Sequence, residues 1–123
     1  MIQKYSEFSF KPRIKEIITS EGAILVGLDA QSNDHLTFNV AGPEDTWLHV
    51  KAHPGSHVVI KSGSPSLDLI KQAAQLAKAH SKAKHLPSAE VSYCLQKYIS
   101  KSPGAAPGEV SLVSKKTYTI KIS

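Results

Sequence analysis

Asp45-Thr46-Trp47-Leu48-His49-Val50-Lys51-Ala52-His53-Pro54-Gly55-Ser56-His57-Val58-Val59-Ile60 is the stretch that decides the fold. Two strand-like runs, Thr46 to Lys51 and His57 to Ile60, flank the pair Pro54-Gly55. Side chains alternate sides along a strand, so Trp47, His49 and Lys51 point one way and Leu48 and Val50 the other. Pro54 presets φ and Gly55 supplies the permissive backbone of a tight turn. A two-stranded hairpin is the simplest reading. Its polar face would display Trp47, His49 and Lys51, with His57 opening the return strand.

Working outward, the segments on either side extend the sheet. Arg13 to Ser20 alternates and reads as a strand, Glu21-Gly22 as a turn, and Ala23 to Leu28 as an apolar strand. Gly27 inside that run points to a bulge or a close backbone approach. Asp29 to Asp34 reads as a polar loop. His35 to Val40 reads as a short helix capped by Asn33 or Asp34, although propensity equally permits a strand. On the other side, Ser64 and Pro65 suit the cap and first position of a helix running from about Pro65 to Lys84. Leu67, Ile70, Ala74 and Ala77, with Leu69, Ala73 and Leu76, form a broad apolar stripe on it. Lys71, Gln75, Lys78 and Lys82 stack along the opposite face. His85-Leu86-Pro87 ends the helix. Glu90 to Ile99 is a long alternating strand. A Pro/Gly loop, Lys101 to Gly108, then leads to strands at Glu109 to Ser114 and Thr117 to Ile122. The expected class is α+β: a mainly antiparallel sheet of five or six strands against one long helix, with a second short helix.

The chain of 123 residues suits one domain, residues 10 to 123, behind a lead-in of residues 1 to 9. A single cysteine, Cys94, excludes an intrachain disulfide and a cysteine-based zinc cluster, and it reads as a small buried apolar residue. No apolar run reaches the roughly 20 residues of a membrane helix, and the N-terminus lacks an apolar signal core, so cytoplasmic residence without membrane contact is expected. The net charge of +5 favours a polyanionic partner.

The central run D-x-W-L-H-x-K-x-x-P-G-S-H-V resembles the signature of the NFACT-R domain, the RNA-binding module of the NFACT family. The likeness extends upstream to Val26-Gly27 and Asn33-Asp34-His35-Leu36-Thr37. Downstream it takes in Ala73-Ala74, Ala77, Ser81-Lys82-Ala83, Tyr93, Lys97 and Lys101 through Val110, so that it covers roughly Phe10 to Ile120. In larger relatives this module accompanies an NFACT-N domain, helix-hairpin-helix segments and a coiled coil. Those proteins bind the large ribosomal subunit and tRNA and extend stalled nascent chains. The other parts have no match here, which implies a stand-alone NFACT-R protein working alone or with a protein partner that supplies them.

Each candidate group has a plain structural alternative. His49, His53 and His57 are spaced four apart, but Pro54-Gly55 breaks any helix that would stack them as metal ligands. Converging in a hairpin with Asp45, His49 and His57 could still offer zinc N/O ligands. The resemblance implies no metal or other cofactor. A hydrolytic pairing of Ser56 with His57 fails because neighbours on a strand face opposite ways. Trp47 either fills the core, the favoured reading, or stacks on a base. His49 and His57 either bond the hairpin backbone or, as their motif position favours, face RNA from an exposed surface. Pro54-Gly55-Ser56 could offer turn N–H groups and a hydroxyl to a phosphate.

The expectation is therefore a non-catalytic RNA-binding module for tRNA or ribosomal RNA, placed in ribosome quality control or tRNA-related processes. Asp45, Trp47, His49, Lys51, Pro54, Gly55, Ser56 and His57 would form the hairpin contact. Lys51, Lys71, Lys78, Lys82, Lys84, Lys97 and Lys101 would form a basic face that neutralises phosphates. The rival classes are a His- or metal-dependent enzyme acting on RNA and a protein adaptor using a strand edge.

Overall fold

The computed structural model describes residues 10–62 and 64–123. The lead-in at residues 1–9 lies outside them. The chain runs β1 (Ile14–Thr19), β2 (Gly22–Gly27), α1 (Ala30–His35) and a π-helical turn (Leu36–Val40). It continues through β3 (Thr46–Val50), β4 (Val58–Lys61), α2 (Leu67–Ala79) and β5 (Ala89–Leu95). It finishes with β6 (Ile99–Ser100), β7 (Ser111–Leu112) and β8 (Tyr118–Ile122). The order β1-β2-β4-β3-β5-β8 makes one six-stranded antiparallel sheet, and β6 and β7 form a separate small ribbon. The α+β class holds.

Alternation along β3 sorts its side chains into two cores. Leu48 and Val50 join Ile24, Val26, Val58 and Ile60 under the alanine-rich face of α2. Ala73, Ala74 and Ala77 are fully buried there, and their small side chains let the helix lie close to the sheet. Trp47 goes the other way, with Leu25, Val59, Cys94 and Ile99, beneath the π-helical turn's Leu36, Phe38 and Val40. The sheet is thus covered on both faces, and the supposed polar face of the hairpin is a second core.

Strands β3 and β4 pair with Trp47 opposite Val59 and Leu48 opposite Val58, as a hairpin requires. The connection is a wide excursion rather than a tight Pro-Gly turn. Ala52 takes a left-handed φ of 67°, and Pro54 to Ser56 leave the hairpin to pair with the chain beyond α2. Ser56 N–H donates to His80 O at 3.0 Å and Lys82 N–H to Pro54 O at 2.9 Å. Gly55 is required at this crossing, where a Cβ would sit 2.5 Å from Ser81 Cβ and 3.0 Å from its Cα.

That crossing also corrects the expected helix. Residues 80 to 82 give their backbone groups to Pro54 and Ser56, so α2 stops at Ala79, not Lys84, and is one of two α-helices among the described residues rather than a long one. Its cap is Ser66, not Ser64: the Ser66 hydroxyl accepts from Leu69 N–H at 3.1 Å. The segment Asp29 to Asp34 is helical, not a loop, because the Asp29 carboxylate caps α1 by accepting from Ser32 N–H at 2.7 Å. The long strand expected over Glu90 to Ile99 breaks after Leu95, where the Gln96 side-chain amide turns inward to donate to Thr37 O at 2.8 Å. Of the strand expected over Glu109 to Ser114, only Ser111–Leu112 forms. Gly27 does mark a close approach: a Cβ there would overlap the Asn33 side chain.

Candidate nucleic-acid interface

A cleft of about 910 Å³ opens where the ends of β2, β3 and α2 meet the loop before β7. Trp47, His49, Pro54, Gly55, Ser56 and His57 line it, together with Lys82 and Lys84. Six of the eight expected hairpin contacts are therefore gathered at one place. The remaining residues come from Leu28 to Asn33, from Ala79 to Ser81 and from Pro107 to Leu112.

Three rings form the floor. Trp47 and His49, two apart on β3, lie nearly parallel with centroids 5.9 Å apart. His57 stands edge-on to both, at 5.1 Å from Trp47 and 5.6 Å from His49. Trp47 and His57 are sealed, each 1% exposed, whereas His49 is half-buried. The expected exposed, RNA-facing position of His57 is therefore corrected. The favoured reading of Trp47 as core is borne out by its burial.

His57 is fixed by bonds that permit one proton arrangement. Its Nε2 lies 2.9 Å from the Gly108 carbonyl, which can only accept, so Nε2 carries the proton. Its Nδ1 must then accept, and the Thr37 hydroxyl donates to it at 2.7 Å. The Thr37 oxygen in turn accepts from Trp47 Nε1–H at 3.1 Å. His57 N–H donates to Asn33 Oδ1 at 3.0 Å. Protonating the ring would take away the acceptor that Nδ1 offers to the Thr37 hydroxyl. Burial, reinforced by the neighbouring His49, lowers the His57 pKa to about 4 from 6.5. Burial also lowers that of His49, partly offset by backbone hydrogen bonds at Gly55 and Val50.

The wall opposite α2 is the loop from Lys101 to Val110, and a half-buried clamp holds it. Lys101 Nζ donates to Asp34 Oδ1 at 3.1 Å, Ala106 O at 2.6 Å and Glu109 O at 2.8 Å. Asp34 Oδ1 also accepts from Gly108 N–H at 3.0 Å. Gly108 adopts φ +86°, the left-handed region glycine favours. This ammonium is satisfied from inside the protein, so its assignment as a phosphate contact is corrected to a structural one.

Other expected contacts also find internal partners. Asp45 accepts from Gly42 N–H and from Lys61 Nζ, and lies away from the cleft lining. Lys97 Nζ bonds Glu44 at 2.9 Å, which raises its pKa. Lys51 lies 4.0 Å from Glu90, both side chains exposed. Of the turn groups proposed for a phosphate, Ser56 N–H goes to His80 O, and the Ser56 residue is buried. Lys71, Lys82 and Lys84 are exposed and make no ion pair among the described residues, while Lys78 is half-buried with its Nζ 3.3 Å from Lys84 O. Among the described residues, no group of three His, Cys, Asp or Glu side chains could hold a metal, and no helix is long and apolar enough to cross a membrane. Cys94 is 3% exposed, and burial raises its pKa.

Asn33, Asp34, Thr37 and Gly108 emerge as residues that build the site, although residue-by-residue reading gave Asn33 and Asp34 only a helix-capping role and the other two none. The signal was present: all four fall inside segments that carried the family likeness.

Fold and cleft together define a small α+β binding domain with a lysine-rimmed, imidazole-floored groove. The chain belongs to the family described as NFACT protein RNA binding domain, whose profile matches residues 9–114. It is 44% identical over 99 residues to the Rqc2 homolog RqcH of Bacillus subtilis (strain 168), covering 80% of this chain and 17% of that protein. It is 40% identical over 98 residues to the Rqc2 homolog RqcH of Streptococcus suis (strain 05ZYH33), covering 79% of this chain and 18% of that one. The solved C-terminal part of the fibronectin/fibrinogen-binding protein from Streptococcus suis matches with a TM-score of 0.83 and 35% identity, over 93% of this chain and 45% of that chain. The chain thus spans less than a fifth of the length of these two curated relatives.

Proposed function

We propose that this domain binds RNA, tRNA or ribosomal RNA, at the cleft, as a non-catalytic module of cytoplasmic ribosome quality control. Family membership supports the polymer class. The names of the RqcH relatives support the setting. Lys82 and Lys84 on the rim take phosphates, with Lys71 and Lys78 of α2 continuing the positive track and Lys51 adding to it. Trp47, His57, Asp34 and Lys101 act from behind by shaping the floor and wall. The large ribosomal subunit, and a protein supplying the NFACT-N and coiled-coil parts, are the proposed partners.

The observation that carries this reading is the placing of Lys82 and Lys84, exposed and without an acidic partner among the described residues, on the same cleft as His49. Phosphate neutralisation releases counterions, so affinity falls linearly with salt on logarithmic axes. Fluorescence anisotropy with labelled tRNA and ribosomal RNA fragments tests it. Affinity must drop steeply with salt and drop again in the Lys82→Glu/Lys84→Glu variant. Salt-insensitive binding, or none, would sink it.

A further inference from the structure

The deepest polar groups of the floor are already engaged. The Trp47 indole N–H, the Thr37 hydroxyl and both His57 ring nitrogens are consumed in a single relay ending on Gly108. Half-buried His49 and His80 also line the cleft, and His80 Nδ1 lies 3.0 Å from Leu76 O. The surrounding wall is largely apolar, with Leu28, Ala30, Pro107, Val110 and Leu112 among its residues. The volume falls within the roughly 300–1,000 Å³ of sites that enclose one small molecule. The lining cations are Lys82 and Lys84; of the lining carboxylates, Asp29 accepts from Ser32 N–H and Arg13, and Glu109 from Ala106 N–H.

A pocket with largely apolar sides, half-buried imidazoles and two lysines at its lip fits a flat heteroaromatic ring with an anion at its edge. We infer that the cleft takes a single unstacked nucleobase of a single-stranded or looped RNA, laid against His49, with its flanking phosphate on Lys82 and Lys84. The inference rests on the RNA-binding reading and gives it a shape preference. A duplex keeps its bases stacked and paired, so it can reach the lysines but not the floor. The parallel Trp47 behind His49 backs the contact and is buried by it, so that an incoming base lengthens an existing stack. The relay through Thr37 and His57 holds that stack in place.

Trp47 is the only tryptophan in the chain, and its ring lies 5.9 Å from that of His49, which makes it a built-in reporter. The intact protein is titrated with a short single-stranded oligoribonucleotide and with the blunt duplex formed from it and its complement. Tryptophan fluorescence and anisotropy are both read. The single strand should quench or shift Trp47 emission, and the duplex should leave it unchanged. His49→Ala should weaken single-strand binding about tenfold, the loss of one base stack, while duplex binding stays as it was. His49→Phe, which keeps a ring, should restore most of the loss. Lys82→Glu/Lys84→Glu should weaken both ligands. Equal affinity for both RNAs with unmoved Trp47 emission would overturn the base pocket and leave RNA binding standing. Failure of both RNAs to bind would overturn the RNA-binding reading and the base pocket together.

Discussion

His57 Nε2 meets the Gly108 carbonyl at 2.9 Å, tying the central hairpin to a loop 51 residues further on. The bond makes a histidine of the signature a structural residue. It also makes the Pro/Gly-rich loop a wall of the cleft, because Gly108 is the point at which Asp34 holds the same loop from the other side.

Removing the ring leaves the buried Thr37 hydroxyl without an acceptor for its proton and takes the His57 donor from the part-buried Gly108 carbonyl. His57→Ala should destabilise the protein by about 2–4 kcal/mol, combining lost hydrogen bonds with a cavity. Urea unfolding followed by Trp47 fluorescence measures it. A loss within the error of the wild type would show that the relay contributes nothing to stability.

The same ring makes stability depend on pH. The unfolded chain takes up a proton below 6.5 that the folded chain refuses until about 4. Stability is therefore fully present above pH 6.5 and declines as the pH falls through that window, by about 3 kcal/mol in all. The lowered pKa of His49 acts in the same sense. Unfolding midpoints at neutral and mildly acidic pH check this, and His57→Gln should flatten much of the slope. A slope unchanged in that variant would assign the effect elsewhere.

Gly55 is fixed by what faces it. In Gly55→Ala the new methyl would press on Ser81, whose backbone is tied to the hairpin excursion, and the clash should cost about 1–3 kcal/mol. Thermal melting should show a lower midpoint, and the cleft, which both segments line, should lose RNA affinity as well. An unchanged melting curve would mean that the crossing can open without cost.

Two lysines of the expected basic face should part company. Lys101→Ala should lower stability by about 1–3 kcal/mol, because it strips charge-assisted hydrogen bonds from Asp34, Ala106 and Glu109. Lys82→Ala should leave stability alone and reduce the slope of log affinity against log salt by about one phosphate's worth. Denaturation and salt titration on both proteins separate the two roles. An inverted pattern would exchange the assignments.

The chain's local chemistry settled much of this molecule. Alternation at Thr46 to Val50 and Val58 to Ile60, the small apolar stripe of α2 and the close approach at Gly27 are properties of neighbours in sequence, and all were legible. So was the concentration of the signature around one site, because Trp47, His49 and the Pro54 to His57 run lie close along the chain. What sequence spacing could not supply was where the partners stand. The α2 helix ends at Ala79 because Pro54 and Ser56 arrive from another strand to take its backbone. Lys101 is a clamp rather than a ligand contact because Asp34 and the carbonyls of its own loop surround it. His57 is buried because the π-helical turn and Gly108 close over a face that alternation alone marked as polar. A strand's period fixes which side a residue faces; only the packed structure decides whether water, protein or RNA waits on that side.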